Sequence, residues 1–93
     1  PHIPDGEVLI DGIHIVAIER ERTAKTIERT RDIMNELCSR KTDYDNSVVN
    51  LKGTSYRYAE IYYYARNESI KIVEKARDLI PANFSSRVKI ILW

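Results

Sequence analysis

The fold of this chain is decided by residues 11–25, which read DGIHIVAIERERTAK. The dipeptide Asp11-Gly12 is the strongest two-residue signal for a β-hairpin, so a strand is predicted on either side of it. The second strand is predicted over Ile13–Glu21, with side chains that alternate between two faces. Because both faces carry apolar residues, we expect a central strand that is covered on both sides. Its polar end, Glu19–Glu21, is expected to project beyond the core.

Strands and helices alternate around this stretch. A short strand is predicted before it, over Glu7–Ile10, and a helix after it, from Ala24 to about Arg40 with Thr23 as the N-cap. The later predicted elements are a loop over Asp43–Ser55, a strand over Tyr58–Ala65, a helix over Glu68–Ile80 capped by Asn67 and ended by Pro81, and a strand over Val88–Trp93. The order β-β-α-β-α-β predicts an α/β fold with a mixed β-sheet and helices on its faces, because strands separated by helices pair in parallel.

Length and charge limit the classes of protein to which this chain can belong. The chain has 93 residues, enough for one domain. It has 15 Lys and Arg against 14 Asp and Glu, a net charge of +1, which excludes a surface that is basic all over but not a local basic face. The single cysteine, Cys38, excludes a disulfide scaffold and a cysteine-based zinc finger, and it fits a reducing compartment. Apolar runs such as Ile15–Ile18 are only a few residues long, which predicts no membrane-spanning segment.

The hairpin brings an acidic residue to the end of the second strand. In an antiparallel hairpin, the start of the first strand lies beside the end of the second. Counting back from the turn, Ile10 pairs near Ile13 and Asp5 falls near Ile18 to Glu19. Polar residues at the end of a buried strand, close to a helix start, are typical of sites in α/β sheets.

Asp5, Glu19 and Glu21 are therefore predicted to converge at one end of the sheet. Glu19 and Glu21 point to the same face, roughly 7 Å apart by strand rise. Like charges this close repel, so the arrangement favours a hard divalent cation such as Mg²⁺. Lys25 is predicted in the first turn of the next helix, where it could orient a metal-bound water or stabilise charge on a phosphate. The alternative for the two glutamates is a solvated, charged strand end.

The residues Pro4-Asp5-Gly6, a hairpin, and then Glu19-Arg20-Glu21-Arg22-Thr23-Ala24-Lys25 resemble the PD-(D/E)XK nuclease superfamily, which has the restriction-endonuclease-like fold. The pattern looks closest to the replication-relaxation family and the MOB-C class of plasmid relaxases, which carry an Asp and then Glu-x-Glu-x-x-x-Lys. The resemblance covers roughly residues 3–80. Glu21 stands where the superfamily usually has a lysine, and Lys25 replaces it, so whether Glu19, Glu21 or both bind metal stays open.

The resemblance implies one nuclease-like domain over residues 1–93 that cleaves a DNA phosphodiester with Mg²⁺ or Mn²⁺. Asp5, Glu19 and Glu21 would be its metal ligands and Lys25 its further catalytic residue. For the relaxase branch, this means nicking at a plasmid transfer origin in the cytoplasm, with accessory mobilisation proteins and a conjugation coupling protein. The alternatives are an inactive nuclease-like module that binds DNA in plasmid replication or its control, and a structural α/β module.

The family's core has a helix and a strand before its Asp, and neither is found here. This predicts that the chain is a fragment of a longer protein and that Glu7–Ile10 is an edge strand. Among the other polar residues, Tyr62, Tyr63 and Tyr64 are expected in the core or on a sheet face rather than as nucleophiles. His2 is a lone histidine near Asp5 in sequence. Further candidates for contact with nucleic acid are Tyr44, Tyr56, Tyr58, Arg20, Arg22, Arg29, Arg31, Lys41 and Lys52.

Overall fold

The computed structural model describes residues 2–12, 14–21, 25–41 and 56–93. The elements in chain order are β1 (Gly6–Ile10), β2 (His14–Glu21), α1 (Ile27–Ser39), β3 (Glu60–Ala65), α2 (Ile70–Asp78), the one-turn α3 (Ala82–Ser85) and β4 (Val88–Leu92). The predicted order β-β-α-β-α-β is confirmed, with α3 added after Pro81. The loop predicted over residues 43–55, with Tyr44 and Lys52, lies outside the described residues, as does Arg22.

The hairpin forms at the predicted turn, but its loop is one residue longer than predicted. Asp11 and Gly12 have φ values of 48° and 74°, in the left-handed region that glycine adopts without steric cost. The Asp11 carboxylate accepts a hydrogen bond from the His14 backbone N–H at 3.1 Å. Ile10 pairs with His14, one residue beyond Ile13, near which it was predicted to pair.

The four strands form one mixed sheet in the order β1-β2-β3-β4. The pair β1–β2 is antiparallel, and the pairs β2–β3 and β3–β4 are parallel. The small α/β domain with a mixed sheet is therefore confirmed. The strand order differs from that of the restriction-endonuclease-like fold, which the structure does not confirm. Within the described residues β1 is an edge strand, as predicted.

Both long helices lie on the same face of the sheet. The two crossovers, β2-α1-β3 and β3-α2-β4, step across the sheet in one direction, and right-handed crossovers then place both helices on one side. α1 and α2 pack against each other. The core lies between these helices and one sheet face, and its members are Ala17, Ile33, Met34, Leu37, Cys38, Tyr58, Ile61, Tyr63, Ala65, Val73, Ala76, Ile80 and Val88. In the described part of the chain, the helices pack on one face of the sheet, while Val16, on the other face of β2, is also fully buried, as expected for a central strand that is covered on both sides.

Helix α1 begins later than predicted. Thr26 is its N-cap, in an extended conformation, and its side chain accepts a hydrogen bond from the Arg29 N–H at 3.1 Å. The predicted cap, Thr23, is outside the described residues. β2 ends at Glu21 as predicted, and Lys25 precedes the helix instead of lying in its first turn.

The other boundaries shift for similar local reasons. A turn over residues 67–69 precedes α2. In this turn, the backbone N–H groups of Ser69 and Ile70 donate to the Arg66 carbonyl. The N-cap of α2 is therefore Ser69 rather than Asn67. The helix ends at Asp78 rather than Ile80. β3 begins at Glu60 rather than Tyr58. No helix in the described part of the chain is long and apolar enough to cross a membrane.

Candidate active site

Asp5 lies where the hairpin count predicted it. Gly6 pairs with Ile18, so continuing the antiparallel register places Asp5 opposite Glu19. The Asp5 carboxylate accepts a hydrogen bond from the Arg20 backbone N–H at 2.7 Å. This bond holds Asp5, which is otherwise exposed, at the carboxyl end of β2.

Glu19 and Glu21 share the face of β2 that the helices cover. Their exposed fractions are 3% and 1%, so both glutamates are buried. The prediction that the two glutamates share a face is confirmed. The expectation that they project beyond the core is wrong, and so is the alternative of a solvated strand end. Burial of two acidic side chains is costly unless each is paired, so their partners decide what the site can do.

Glu21 has a partner for each of its oxygens. Lys25 Nζ lies 2.9 Å from Oε1, and the Tyr63 hydroxyl donates to Oε2 at 3.1 Å. Tyr63 is the register partner of Glu19 on β3. Burial raises the pKa of the Tyr63 hydroxyl far above its usual range, and the charges of Glu21 and Glu19 raise it further. Tyr63 is therefore a neutral hydrogen-bond donor, and Glu21 is a satisfied carboxylate.

Glu19 has a partner for only one of its oxygens. His2 Nε2 lies 2.8 Å from Oε1, while Oε2 is buried with no hydrogen-bond partner. Burial raises the pKa of the Glu19 carboxyl, the hydrogen bond with His2 lowers it, and the nearby charge of Asp5 raises it again. An ionised Glu19 therefore leaves an uncompensated buried oxygen beside a second carboxylate.

His2 is held in place by hydrogen bonds of its backbone as well as by the hydrogen bond of its ring. Its N–H donates to the Glu36 carboxylate at 2.8 Å, and its carbonyl accepts from the Arg40 guanidinium at 2.6 Å. The sequence placed His2 near Asp5 but gave no sign that α1 would hold it against Glu19. Tyr63 could have been found from alternation, because Ile61 and Ala65 flank it on the covered face of β3.

The structure brings Asp5, Glu19, Glu21 and Lys25 to one end of the sheet. Among the described residues, no group of three or more His, Cys, Asp or Glu side chains is arranged to hold a metal ion. Mg²⁺ commonly uses one or two protein carboxylates and completes its shell with water and phosphate oxygens. The donors that fit it here are the free oxygen of Glu19 and the carboxylate of Asp5, because both oxygens of Glu21 are engaged.

Two other tyrosines named from the sequence, Tyr56 and Tyr58, are engaged at the opposite end of β3. Tyr58 is buried and donates to Glu7 on β1. Tyr56 packs edge-on against Phe84, with the Lys41 ammonium 4.2 Å from its ring centroid. Neither tyrosine is part of the acidic site.

Comparison of the chain with protein-family models, with curated proteins and with solved structures finds no match. The resemblance to PD-(D/E)XK nucleases therefore stays a prediction that rests on the residues around the hairpin.

A divalent cation is expected to stabilise the protein in a pH-dependent way. Because the pKa of Glu19 is raised on folding, the cation-free protein loses stability as the pH rises from the ordinary glutamate value of 4.5 through the folded-state value. A cation that binds ionised Glu19 offsets this loss. We expect Mg²⁺ or Mn²⁺ to raise the melting temperature by several degrees at about pH 8 and to have little effect at about pH 4.

The measurement is thermal unfolding by circular dichroism, with NaCl at matched ionic strength as the control. An equal rise in NaCl would mean charge screening, and no rise at either pH would contradict a cation site at Glu19.

Proposed function

We propose that this protein is a Mg²⁺-dependent endonuclease that nicks a DNA phosphodiester at the site formed by Asp5, Glu19, Glu21 and Lys25. The observation that carries the proposal is the buried Glu19 Oε2, which has no partner and lies on the same strand end as a second carboxylate. A buried, unpaired carboxylate oxygen is costly, and either a proton or a bound cation removes that cost. The second carboxylate, Asp5, beside Glu19 supports the cation, because carboxylate oxygens are the ligands that Mg²⁺ prefers.

The oxygen donors of Glu19 and Asp5 support such an ion. Glu19 Oε2 and the Asp5 carboxylate would supply the protein's oxygen ligands, while His2 fixes the other oxygen of Glu19. Bound Mg²⁺ supplies an activated water and charge neutralisation at a phosphate. Tyr63 and Lys25 hold Glu21 in place, and the half-exposed Lys25 ammonium is free to face a phosphate oxygen as well.

DNA as the substrate, and nicking at a plasmid transfer origin during mobilisation, follow from the resemblance of Asp5 and Glu19–Lys25 to the relaxase branch. The cytoplasmic location, the accessory mobilisation proteins and the coupling protein belong to the same proposal. The alternative is a nuclease-like domain that binds DNA without cleaving it. It is favoured by the lack of a three-ligand metal group in the described residues.

The test is nicking of supercoiled DNA by the purified protein. Plasmids with and without a transfer origin are incubated with Mg²⁺, Mn²⁺ or excess EDTA, and the open-circular product is measured. We expect product with either metal and none in EDTA. Nicking that persists in EDTA would overturn the metal-dependent mechanism. DNA binding without nicking in either metal would instead support the inactive module.

Lys25→Ala is expected to slow nicking about 10- to 100-fold, a smaller loss than removal of a metal ligand. Lys25 orients Glu21 and stabilises charge, and polar groups outside the metal shell commonly contribute a factor of this size. The rate of nicking in saturating Mg²⁺ is compared with that of Lys25→Arg, which keeps the positive charge and is expected to recover most of the rate. A wild-type rate in Lys25→Ala would remove Lys25 from the site.

A further inference from the structure

The sheet face opposite the helices carries aromatic and basic side chains. We name it the open face and define it by Ile18 and Arg20 of β2, Tyr62 and Tyr64 of β3, and Ile91 of β4, together with Arg66 and Trp93 just beyond the strand ends. Register places these side chains together, because Ile18 pairs with Tyr62, and Tyr64 pairs with both Arg20 and Ile91. Within the described residues, the helices pack on the other face. On this face Val16 of β2 is fully buried, the residues Ile18, Tyr62, Tyr64 and Ile91 are half-buried, and Arg20, Arg66 and Trp93 are exposed.

Two arginines surround the tryptophan at one end of the open face. The Arg20 and Arg66 guanidinium carbons lie 5.0 and 4.2 Å from the centroid of the Trp93 ring. Trp93 is 42% exposed, and both arginines are exposed as well. Neither arginine forms a salt bridge with a carboxylate in the described part of the chain. This end of the face therefore offers two uncompensated positive charges around an aromatic ring.

The other end of the open face is closed by internal pairs. Lys89 lies 3.7 Å from the Glu60 carboxylate, and the Tyr62 hydroxyl donates to the same side chain at 3.4 Å. The charge that is available to a ligand is thus concentrated around Trp93. Arg20 also connects this end to the acidic site, because its backbone N–H donates to Asp5 while its side chain lies on the open face.

We propose that the open face binds a single-stranded segment of nucleic acid, whose bases stack on Tyr64 and Trp93 and whose phosphates contact Arg20 and Arg66. Accessible aromatic rings next to arginines are the pattern that binds unpaired bases, since every base offers a flat face for stacking. Here Trp93 is exposed and Tyr64 is half-buried. A duplex fits this face poorly because its bases are already stacked on one another. The partner is therefore a polyanion with free bases, which matches both the positive charge and the aromatic surface.

This inference goes beyond the proposed cleavage and does not depend on a metal ion. It also bears on the form of the substrate: Arg20 and Asp5 meet at the end of β2, so a strand bound on the open face would have to pass around this strand end to reach Glu19 and Glu21 on the opposite face. Binding is therefore tested in EDTA, where the proposed nuclease activity is absent, so that failure of one proposal is distinguishable from failure of the other.

Trp93 is the single tryptophan of the chain, so its fluorescence reports directly on this face. A single-stranded oligothymidylate of about 15 nucleotides is titrated into the protein in EDTA, and quenching of Trp93 is followed together with the anisotropy of a labelled oligonucleotide. We expect saturable quenching by the single strand, weaker binding of a duplex of the same length, and no quenching by polyphosphate, which has no bases.

Single-residue variants separate the contribution of base stacking to binding from the contribution of charge. Arg66→Ala and Tyr64→Ala are each expected to weaken binding about tenfold, and Trp93→Phe to keep most of the affinity because it keeps a ring. Lys71→Ala, which removes an equal charge from the exposed surface of α2, is the matched control and should bind as the wild type does. Equal affinity for single strand and duplex, or an equal loss in Lys71→Ala and Arg66→Ala, would overturn the proposal.

Discussion

Asp5→Asn is expected to abolish Mg²⁺-dependent nicking while leaving DNA binding at least as strong as in the wild type. The Asp5 carboxylate would neutralise and position the ion, a contribution of several kcal/mol, so we expect a loss of about 10³-fold in rate. Under the proposed function, DNA affinity would come mainly from basic contacts, and removing a negative charge beside them would favour phosphate binding. The rate of nicking and a gel shift are measured in parallel.

The asparagine variant is chosen because of the bond that Asp5 makes to the hairpin. Its side-chain oxygen can still accept the hydrogen bond from the Arg20 N–H, so the hairpin mouth keeps its geometry without the charge. Asp5→Ala lacks both the charge and the acceptor. If Asp5→Asn nicks normally and Asp5→Ala does not, Asp5 has a structural role only. If both variants nick at the wild-type rate, Asp5 is not part of the site.

Local patterns in the sequence predicted the hairpin and the position of the acidic residues well. Alternation along β2 placed Glu19 and Glu21 on one face, and counting back from Asp11-Gly12 placed Asp5 beside Glu19 even though the turn is one residue longer. These predictions depend only on strand periodicity and antiparallel pairing, which short-range sequence determines.

Contacts between distant segments were not visible in the sequence. His2 reaches Glu19 only because Glu36 and Arg40 of the helix region hold the N-terminal segment. The burial of Glu19 and Glu21 depends on the helices that cover this face of β2, and apolar residues on both faces of a strand do not reveal which face they cover. The start of α1 was predicted too early, because N-cap preference depends on residue type and does not distinguish the predicted cap, Thr23, from the observed cap, Thr26.

Glu19→Gln is expected to raise thermal stability while it abolishes nicking. An ionised Glu19 buries an oxygen without a partner, and a neutral amide in its place is less costly to bury. Without a divalent cation, the variant should melt above the wild type at about pH 8, by about 4–8 °C for each kcal/mol gained. Because the pKa of Glu19 is raised by burial, the difference should shrink as the pH falls and Glu19 takes up a proton. Loss of the oxygen ligand should lower nicking by about 10³-fold.

Glu21→Gln is the matched control, because Glu21 is equally buried on the same strand but is paired through both oxygens. Removing its charge breaks the ion pair with Lys25, so the variant is expected to melt below the wild type. Two neighbouring glutamates should thus give stability changes of opposite sign from the same substitution. Of these two variants, only Glu19→Gln should also lose the stabilisation by Mg²⁺, because the oxygen without a hydrogen-bond partner, Oε2, belongs to Glu19. Destabilisation by both substitutions would mean that Glu19 is a satisfied structural residue, and the case for a cation at this strand end would then fail.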